Sequence, residues 1–238
     1  MTRTLQDKRV LIVGGARDIG FAIAGAVAQE GAMALIGSRD FGKACVAADG
    51  IPGAEPVWID ITEDASIIAA FELIGQVDHI VVIAAANQNV SVTELDREKS
   101  VAAFEARVIG PLLLAKHSAK HLPRNGSIVL FSGTAWNPTP GYAGMEIANG
   151  AVAFAVEHLA RELAPIRVNA VSHGIIDSGS WDSLGGDRKQ AFLESAARST
   201  LVGRAGTNDD IAKAVLWLLG AGFVTGETIY VEGGARFA

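Results

Sequence analysis

Near its start the chain reads Arg9-Val-Leu-Ile-Val-Gly14-Gly15-Ala-Arg17-Asp18-Ile19-Gly20, an apolar β-branched run that passes through clustered glycines into an Ala-rich helical pattern. Glycines let a backbone approach a bound group closely. A helix N-terminus adds unpaired N–H groups and positive potential, so the segment suits a diphosphate. Two guanidinium groups accompany it: Arg17 within the turn, and Arg39 just after the next apolar run, Ala34–Gly37. Planar bidentate donors of this kind bind phosphate well. A carboxylate closing that second run would chelate ribose hydroxyls and repel a 2′-phosphate, but Ser38 stands there instead. The alternative is a solvated Arg39 whose field Asp40 neutralises. Further along, His173 follows another apolar run and offers an acid–base group; a structural histidine is the competing reading. Trp136 and Trp181 suit an apolar or aromatic substrate, or simple packing. No His/Asp/Glu cluster has metal-ligand spacing, so no metal is expected.

These residues need a scaffold, and the pattern supplies one. Strands are predicted at Arg9–Val13, Ala34–Gly37, Pro56–Ile59, His79–Ala84, Ser127–Phe131, Arg167–Val171 and Thr228–Val231. They are continuously apolar, as strands covered on both faces must be. Helices are predicted between them at Ile19–Gln29, Asp64–Ile74, Asp96–His121, Met145–Leu163 and Asp209–Leu219. Alternating strands and helices imply an α/β fold, a Rossmann-type doubly wound seven-stranded parallel sheet. No repeat or linker divides residues 1–238, so one domain is expected. Residues 174–206 break the rhythm and read as a substrate loop or lid carrying Trp181 and an amphipathic piece, Asp187–Arg198.

Composition narrows the function classes. The chain has 238 residues, of which 50% are hydrophobic, enough apolar surface to exclude a disordered chain. Its 20 Lys+Arg against 26 Asp+Glu give a formal charge of −6, which argues against nucleic acid as the main partner. The single cysteine, Cys45, excludes an internal disulfide and a multi-cysteine zinc site. No apolar run reaches the ~18 residues of a membrane span, and nothing near Met1 resembles a signal peptide, so a cytoplasmic protein is expected.

The glycine spacing resembles that of the short-chain dehydrogenase/reductase (SDR) family, whose Thr-Gly-x-x-x-Gly-x-Gly motif falls on Val13 to Gly20 with Asp18 in place of the middle glycine. A carboxylate beside a diphosphate is unfavourable unless it points away. The resemblance continues through Trp58-Ile-Asp60-Ile61-Thr, Arg204-Ala-Gly206 and Gly226-Glu-Thr-Ile-Tyr-Val-Glu232-Gly233-Gly234, and so runs along nearly the whole chain. It implies an oxidoreductase with a nicotinamide cofactor bound by Gly14, Arg17, Ile19, Gly20, Ser38, Arg39, Asp60, Ile61, Ala84, Asn149 and Ser178. With Ser38-Arg39 closing the second strand, NADP(H) is favoured over NAD(H). The family's pairing of long helices implies a homodimer or homotetramer acting on a small-molecule substrate.

At the chemical end the family uses Asn, Ser, Tyr and Lys, with Tyr four residues before Lys on one helix, for general acid–base catalysis. Registered on Glu162-Leu-Ala-Pro-Ile-Arg167-Val-Asn, the Tyr and Lys positions fall at Met145 and Asn149. The serine position falls at Gly133, flanked by Ser132 and Thr134, and the helix asparagine position at Arg107. His173-Gly174 stands for the usual Pro-Gly. Tyr142, seven residues before Asn149, lies two turns away on the same helix face, and it is either a substitute proton donor or a rim residue. The candidate catalytic set is therefore Tyr142, Asn149, Ser132 and His173. Arg107 is expected either to bind an anionic substrate or to pair with Glu105 or Glu146. The expected function is an NADP(H)-dependent oxidoreductase acting on a small carbonyl, enone or alcohol through a non-standard site. The alternatives are a non-redox SDR-fold lyase, isomerase or cyclase, and a catalytically silent NADP-binding sensor.

Overall fold

The computed structural model describes residues 5–83, 89–133 and 139–238. Strand β1 (Arg9–Val13) leads through the glycine turn into helix α1 (Asp18–Gln29), followed by β2 (Met33–Ser38), α2 (Phe41–Asp49), β3 (Glu55–Trp58), α3 (Asp64–Ile74) and β4 (His79–Val82). Helices α4 (Arg97–Phe104) and α5 (Gly110–Ser118) precede β5 (Ser127–Phe131), α6 (Ala143–Glu162) and β6 (Arg167–His173). The short strand β7 (Ile176–Asp177), α7 (Gly186–Arg198), β8 (Gly206–Thr207), α8 (Asn208–Gly220) and β9 (Thr228–Val231) complete the order. Seven strands form one parallel sheet in the order β3-β2-β1-β4-β5-β6-β9. The direction of winding reverses between β1 and β4, and the crevice beyond their C-terminal ends is where ligands bind in sheets of this kind.

Successive residues of each strand serve opposite faces. Val10 and Ile12 pack with Ile23, Val27, Ile211 and Val215 of α1 and α8, whereas Leu11 and Val13 pack with Ile67, Phe71, Leu114, Val152 and Val156 of α3, α5 and α6. Burial on both faces explains why the strands read as unbroken apolar runs. The far end of the sheet is tied by Arg167, whose guanidinium donates to the carbonyls of Leu218 and Leu219, both at 2.8 Å. These are C-terminal carbonyls of α8 with no partner inside the helix.

Three features differ from the sequence pattern. Helix α2 was not expected; it is short, and Asp40 caps it by accepting from the Lys43 amide at 3.1 Å. The long helix expected over Asp96–His121 is interrupted by a π-helical turn, Glu105–Ile109. Pro111 has no N–H to continue the regular ladder, and Gly110 sits so close to Ile61 that a Cβ there would meet its Cγ1 at 2.8 Å. The excursion after β6 also contains strands: β7 pairs with β8 and closes the base of the loop.

Candidate functional site

The glycine turn is as tight as its sequence suggests. Gly14 has φ +88°, and a Cβ on Gly20 would stand 2.1 Å from the Gly14 carbonyl oxygen. The Gly14 amide donates to the Gly37 carbonyl at 2.8 Å, which anchors the turn to β2. Ile19 and Gly20 are buried in the first turn of α1.

Asp18 is the exception within this turn. It holds φ +50°, the left-handed conformation that glycine adopts freely and Asp tolerates better than most residues. Its Oδ2 lies 3.2 Å from Arg17 Nη1. Its Oδ1 rests on Gly179, where a Cβ would stand 2.2 Å from it. Gly179 opens a 3-10 turn, Gly179–Leu184, capped by the buried Ser178, whose Oγ accepts from the Ser180 amide at 3.4 Å. The carboxylate therefore joins the glycine turn to the loop that follows β6.

At the outer end of β2, Ser38 Oγ accepts from the Asp40 amide at 3.1 Å, and Arg39 is exposed. Asp40 lies 3.1 Å from Lys43 Nζ, and the Lys43 amide and ammonium hold its carboxyl below the usual range. Its charge is thus engaged by Lys43. Asp60 Oδ1 accepts from the Thr62 amide at 3.0 Å and the Thr62 hydroxyl at 2.7 Å. Ile61 is buried against Gly110. Ala84, Thr134 and Trp136 lie outside the described residues.

The chemical end is built on α6, the π-helical turn and the tips of β5 and β6. Asn149 is buried, and Arg107, also buried, donates from Nη1 to Asn149 Oδ1 at 2.8 Å. Burial pulls the guanidinium below its usual pKa. The wider π turn carries Arg107 into this position. Glu146, one of the partners expected for it, instead accepts from the Thr139 amide. Ser132 Oγ donates to the Asn149 backbone carbonyl at 2.9 Å, and Ser172 Oγ donates to the Gly133 carbonyl at 2.8 Å. Gly133 faces the amide of Asn149: a Cβ there would be 2.6 Å from Nδ2. Tyr142 is half-buried at the N-cap of α6.

His173 Nδ1 donates to the Gly174 carbonyl at 2.8 Å, so Nδ1 carries the proton of the neutral ring and Nε2 keeps its lone pair. Burial lowers its pKa; the Gly174 carbonyl opposes that shift, and the Arg107 charge adds to it. Between α4 and α6 a narrow cleft is lined by Ala103, Phe104, Arg107, Met145 and Ala148. A second cavity of about 250 Å³ lies beneath α7, lined by Ile175, Phe192 and Ala196 with the hydroxyls of Ser195, Ser199 and Thr200. Trp181 packs on Phe192 at 4.5 Å between ring centroids and donates from Nε1 to the Ile176 carbonyl at 2.9 Å. That contact fastens the 3-10 turn to α7.

Two relationships were not legible in the chain. Arg107 meets Asn149 across 42 residues of sequence, and Asp18 meets Gly179 across a still longer interval. The clue available for the first was the glycine at 133, since only a residue without Cβ leaves room for the Asn149 amide.

The groove suits a dinucleotide in its tight glycine turn, its helix N-terminus and the exposed Arg39. In this groove the Asp18 carboxylate stands between the glycine turn and the loop that follows β6.

Residues 14–236 match a family model described as enoyl-(acyl carrier protein) reductase. The chain is 29% identical to the short-chain dehydrogenase/reductase ucsE of an Acremonium species, covering 100% of this chain and 99% of that one. It is 30% identical to the short-chain reductase protein NovJ of Streptomyces niveus over 96% of this chain and 94% of that one. Among solved structures, MalC reductase/Diels-Alderase from Malbranchea aurantiaca superposes with a TM-score of 0.92 at 28% identity, covering 100% of this chain and 99% of that one. A small-chain dehydrogenase in complex with NADPH gives 0.87 at 29% identity, over 98% and 100% of the two chains. From the family model and these near full-length relatives, the chain belongs to the short-chain dehydrogenase/reductase family of oxidoreductases.

Proposed function

We propose that the chain is an NADP(H)-dependent oxidoreductase that acts on a small carbonyl, enone or alcohol through a site in which Arg107 and Asn149 replace the family's lysine. The observation that carries this reading is the 2.8 Å bond from the Arg107 guanidinium to Asn149 Oδ1, with both side chains buried. An asparagine alone brings no charge. Coupled to a buried guanidinium, its Nδ2–H becomes a stronger donor, and the positive charge lies where negative charge develops on a substrate oxygen. NADP(H) is preferred over NAD(H) because Ser38 and the exposed Arg39 close β2 without a carboxylate, while Asp40 is engaged by Lys43. The NADPH complex of a relative at 29% identity supports a nicotinamide cofactor.

Bound in the crevice, the cofactor would supply the hydride. Tyr142, which caps α6 from outside the helix seven residues before Asn149, would donate the proton to the substrate oxygen. His173, neutral with Nε2 as acceptor, is the second member of the relay. Ser132 acts as a positioning residue, since its hydroxyl holds the Asn149 carbonyl and thereby seats α6. The cavity of about 250 Å³ beneath α7, with Ile175, Phe192 and Ala196 in its wall, suits a small, largely apolar substrate. Exposed Ile147 and Phe154 on α6 suit pairing of two copies into a dimer or tetramer. The test is turnover of NADPH across a panel of carbonyls and enones. Turnover that Tyr142→Phe abolishes supports the reading; binding of NADPH with no consumption overturns it.

One observation favours a second reading. The Asp18 carboxylate beside the glycine turn suits an enzyme on this fold that performs no redox step, and the Malbranchea relative is described as a reductase/Diels-Alderase. Substrate conversion that needs no nucleotide would decide for it.

A further inference from the structure

We infer that Asp18 is a specificity-determining residue of the nucleotide groove: its carboxylate occupies the seat of the cofactor's diphosphate, and the dinucleotide binds by displacing it. The inference rests on the nucleotide-binding reading above. A diphosphate held by the N-terminal amides of α1 must lie between that terminus and the loop after β6. The contact between Asp18 Oδ1 and Gly179 shows that these two segments stand one carboxylate apart. The carboxylate also gains from the site as an anion would, because it sits in the first turn of α1 beside the positive end of the helix.

The surrounding charges make the seat selective. Arg17 Nη1 lies 3.2 Å from Asp18 Oδ2, but its side chain is 76% exposed and is a weak tether. Asp182 adds a second carboxylate, its Oδ2 being 3.5 Å from the Cβ position of Gly179. Lys189 holds Asp182 at 2.8 Å and Asp177 at 3.0 Å, so its ammonium is already shared between two carboxylates. An incoming diphosphate therefore meets carboxylates at its centre, while Arg39 stays exposed at the adenosine end. Asp18 is also held at φ +50°, a conformation that glycine would adopt without strain. Replacing it thus removes the charge without disturbing the turn.

The experiment is a fluorescence or calorimetric titration of the full chain, and of Asp18→Gly and Asp18→Asn, with NADPH, NADH and adenosine 2′-monophosphate. The last ligand keeps the adenosine end and lacks the diphosphate. Both variants are expected to bind the dinucleotide at least tenfold more tightly, while their affinity for adenosine 2′-monophosphate stays within about twofold of wild type. Tightening from no detectable binding in the wild type is the same result in stronger form. Equal dinucleotide affinity in all three proteins overturns the inference and leaves the nucleotide-binding reading intact. Parallel tightening of adenosine 2′-monophosphate also overturns it, because the effect would then not arise at the diphosphate. Failure of all three proteins to bind either dinucleotide at millimolar concentration overturns the reading itself, and the inference with it.

Discussion

Arg107 Nη1 donates to Asn149 Oδ1 at 2.8 Å in the buried floor of the site, linking the π-helical turn before α5 to the middle of α6. Neither residue can be altered alone without consequence. Arg107→Met leaves the buried Asn149 oxygen without this donor and is expected to destabilise the fold by about 1–3 kcal/mol. Asn149→Lys places an ammonium against the guanidinium and is expected to destabilise the fold further. The double variant Arg107→Asn/Asn149→Lys removes the like-charge contact and is expected to recover stability relative to Asn149→Lys alone. Thermal melts of the four proteins check this, and a double variant no more stable than Asn149→Lys contradicts it.

Gly133 is predicted to tolerate no side chain while Asn149 remains in place. A Cβ there would stand 2.6 Å from Asn149 Nδ2, so Gly133→Ser forces the amide away from its seat. The expected loss is about 1–3 kcal/mol, the usual range for overpacking. Pairing Gly133→Ser with Asn149→Ala should relieve most of it. A Gly133→Ser protein that melts with the wild type would show that the amide does not sit there.

Stability is predicted to fall in mild acid through His79. Its ring lies beside Ser127 Oγ at 2.9 Å, and burial pushes its pKa down to about 4; Asp78 opposes the shift, while Arg167 and Lys8 add to it. A folded-state pKa below the unfolded value of 6.5 means that the unfolded chain binds the proton more readily. The stabilisation is therefore complete above about pH 6.5 and is lost as pH falls toward 4, by about 3 kcal/mol in all. Denaturant midpoints for the wild type and His79→Asn across that window check it, and the variant should give the flatter profile.

Arg167→Met is predicted to loosen the edge of the sheet where β6 meets β9. The wild-type guanidinium donates to the Leu218 and Leu219 carbonyls at the end of α8, and the substitution leaves both without it. A loss of about 2 kcal/mol is expected from two charge-assisted bonds partly replaced by water. Hydrogen exchange should locate it, with protection falling in α8 and β9 and holding in β1 and β4.

How much of this was legible in the chain depended on the range of the interaction. The central strands of the sheet were readable because each is an apolar run of the right length, and burial on both faces leaves few other uses for such runs; the edge strand β3, Glu55–Trp58, is half-exposed and carries a weaker pattern. The glycine turn was readable because its function is local and glycine has few substitutes at φ +88°. Helix α2 was missed because its signal is a single cap, Asp40, ahead of nine weakly patterned residues. The break between α4 and α5 was missed because Pro111 reads as an acceptable first-turn residue, and its effect on the preceding turn depends on Gly110 fitting against Ile61. Asn149 could be singled out by its position, but the positive charge beside it belongs to Arg107. That pairing is tertiary, and no pattern in either segment announces it.

Single-turnover oxidation of NADPH by the wild type and by Arg107→Met, with cofactor binding measured in parallel, tests whether the Arg107–Asn149 pair serves hydride transfer. The wild type is expected to oxidise NADPH with at least one small carbonyl or enone. Arg107→Met is expected to bind NADPH but to lose about a hundredfold or more in the hydride-transfer rate, because the charge that strengthens the Asn149 donor is gone. Hydride transfer at the wild-type rate in Arg107→Met, or no oxidation by a wild type saturated with NADPH, would contradict it.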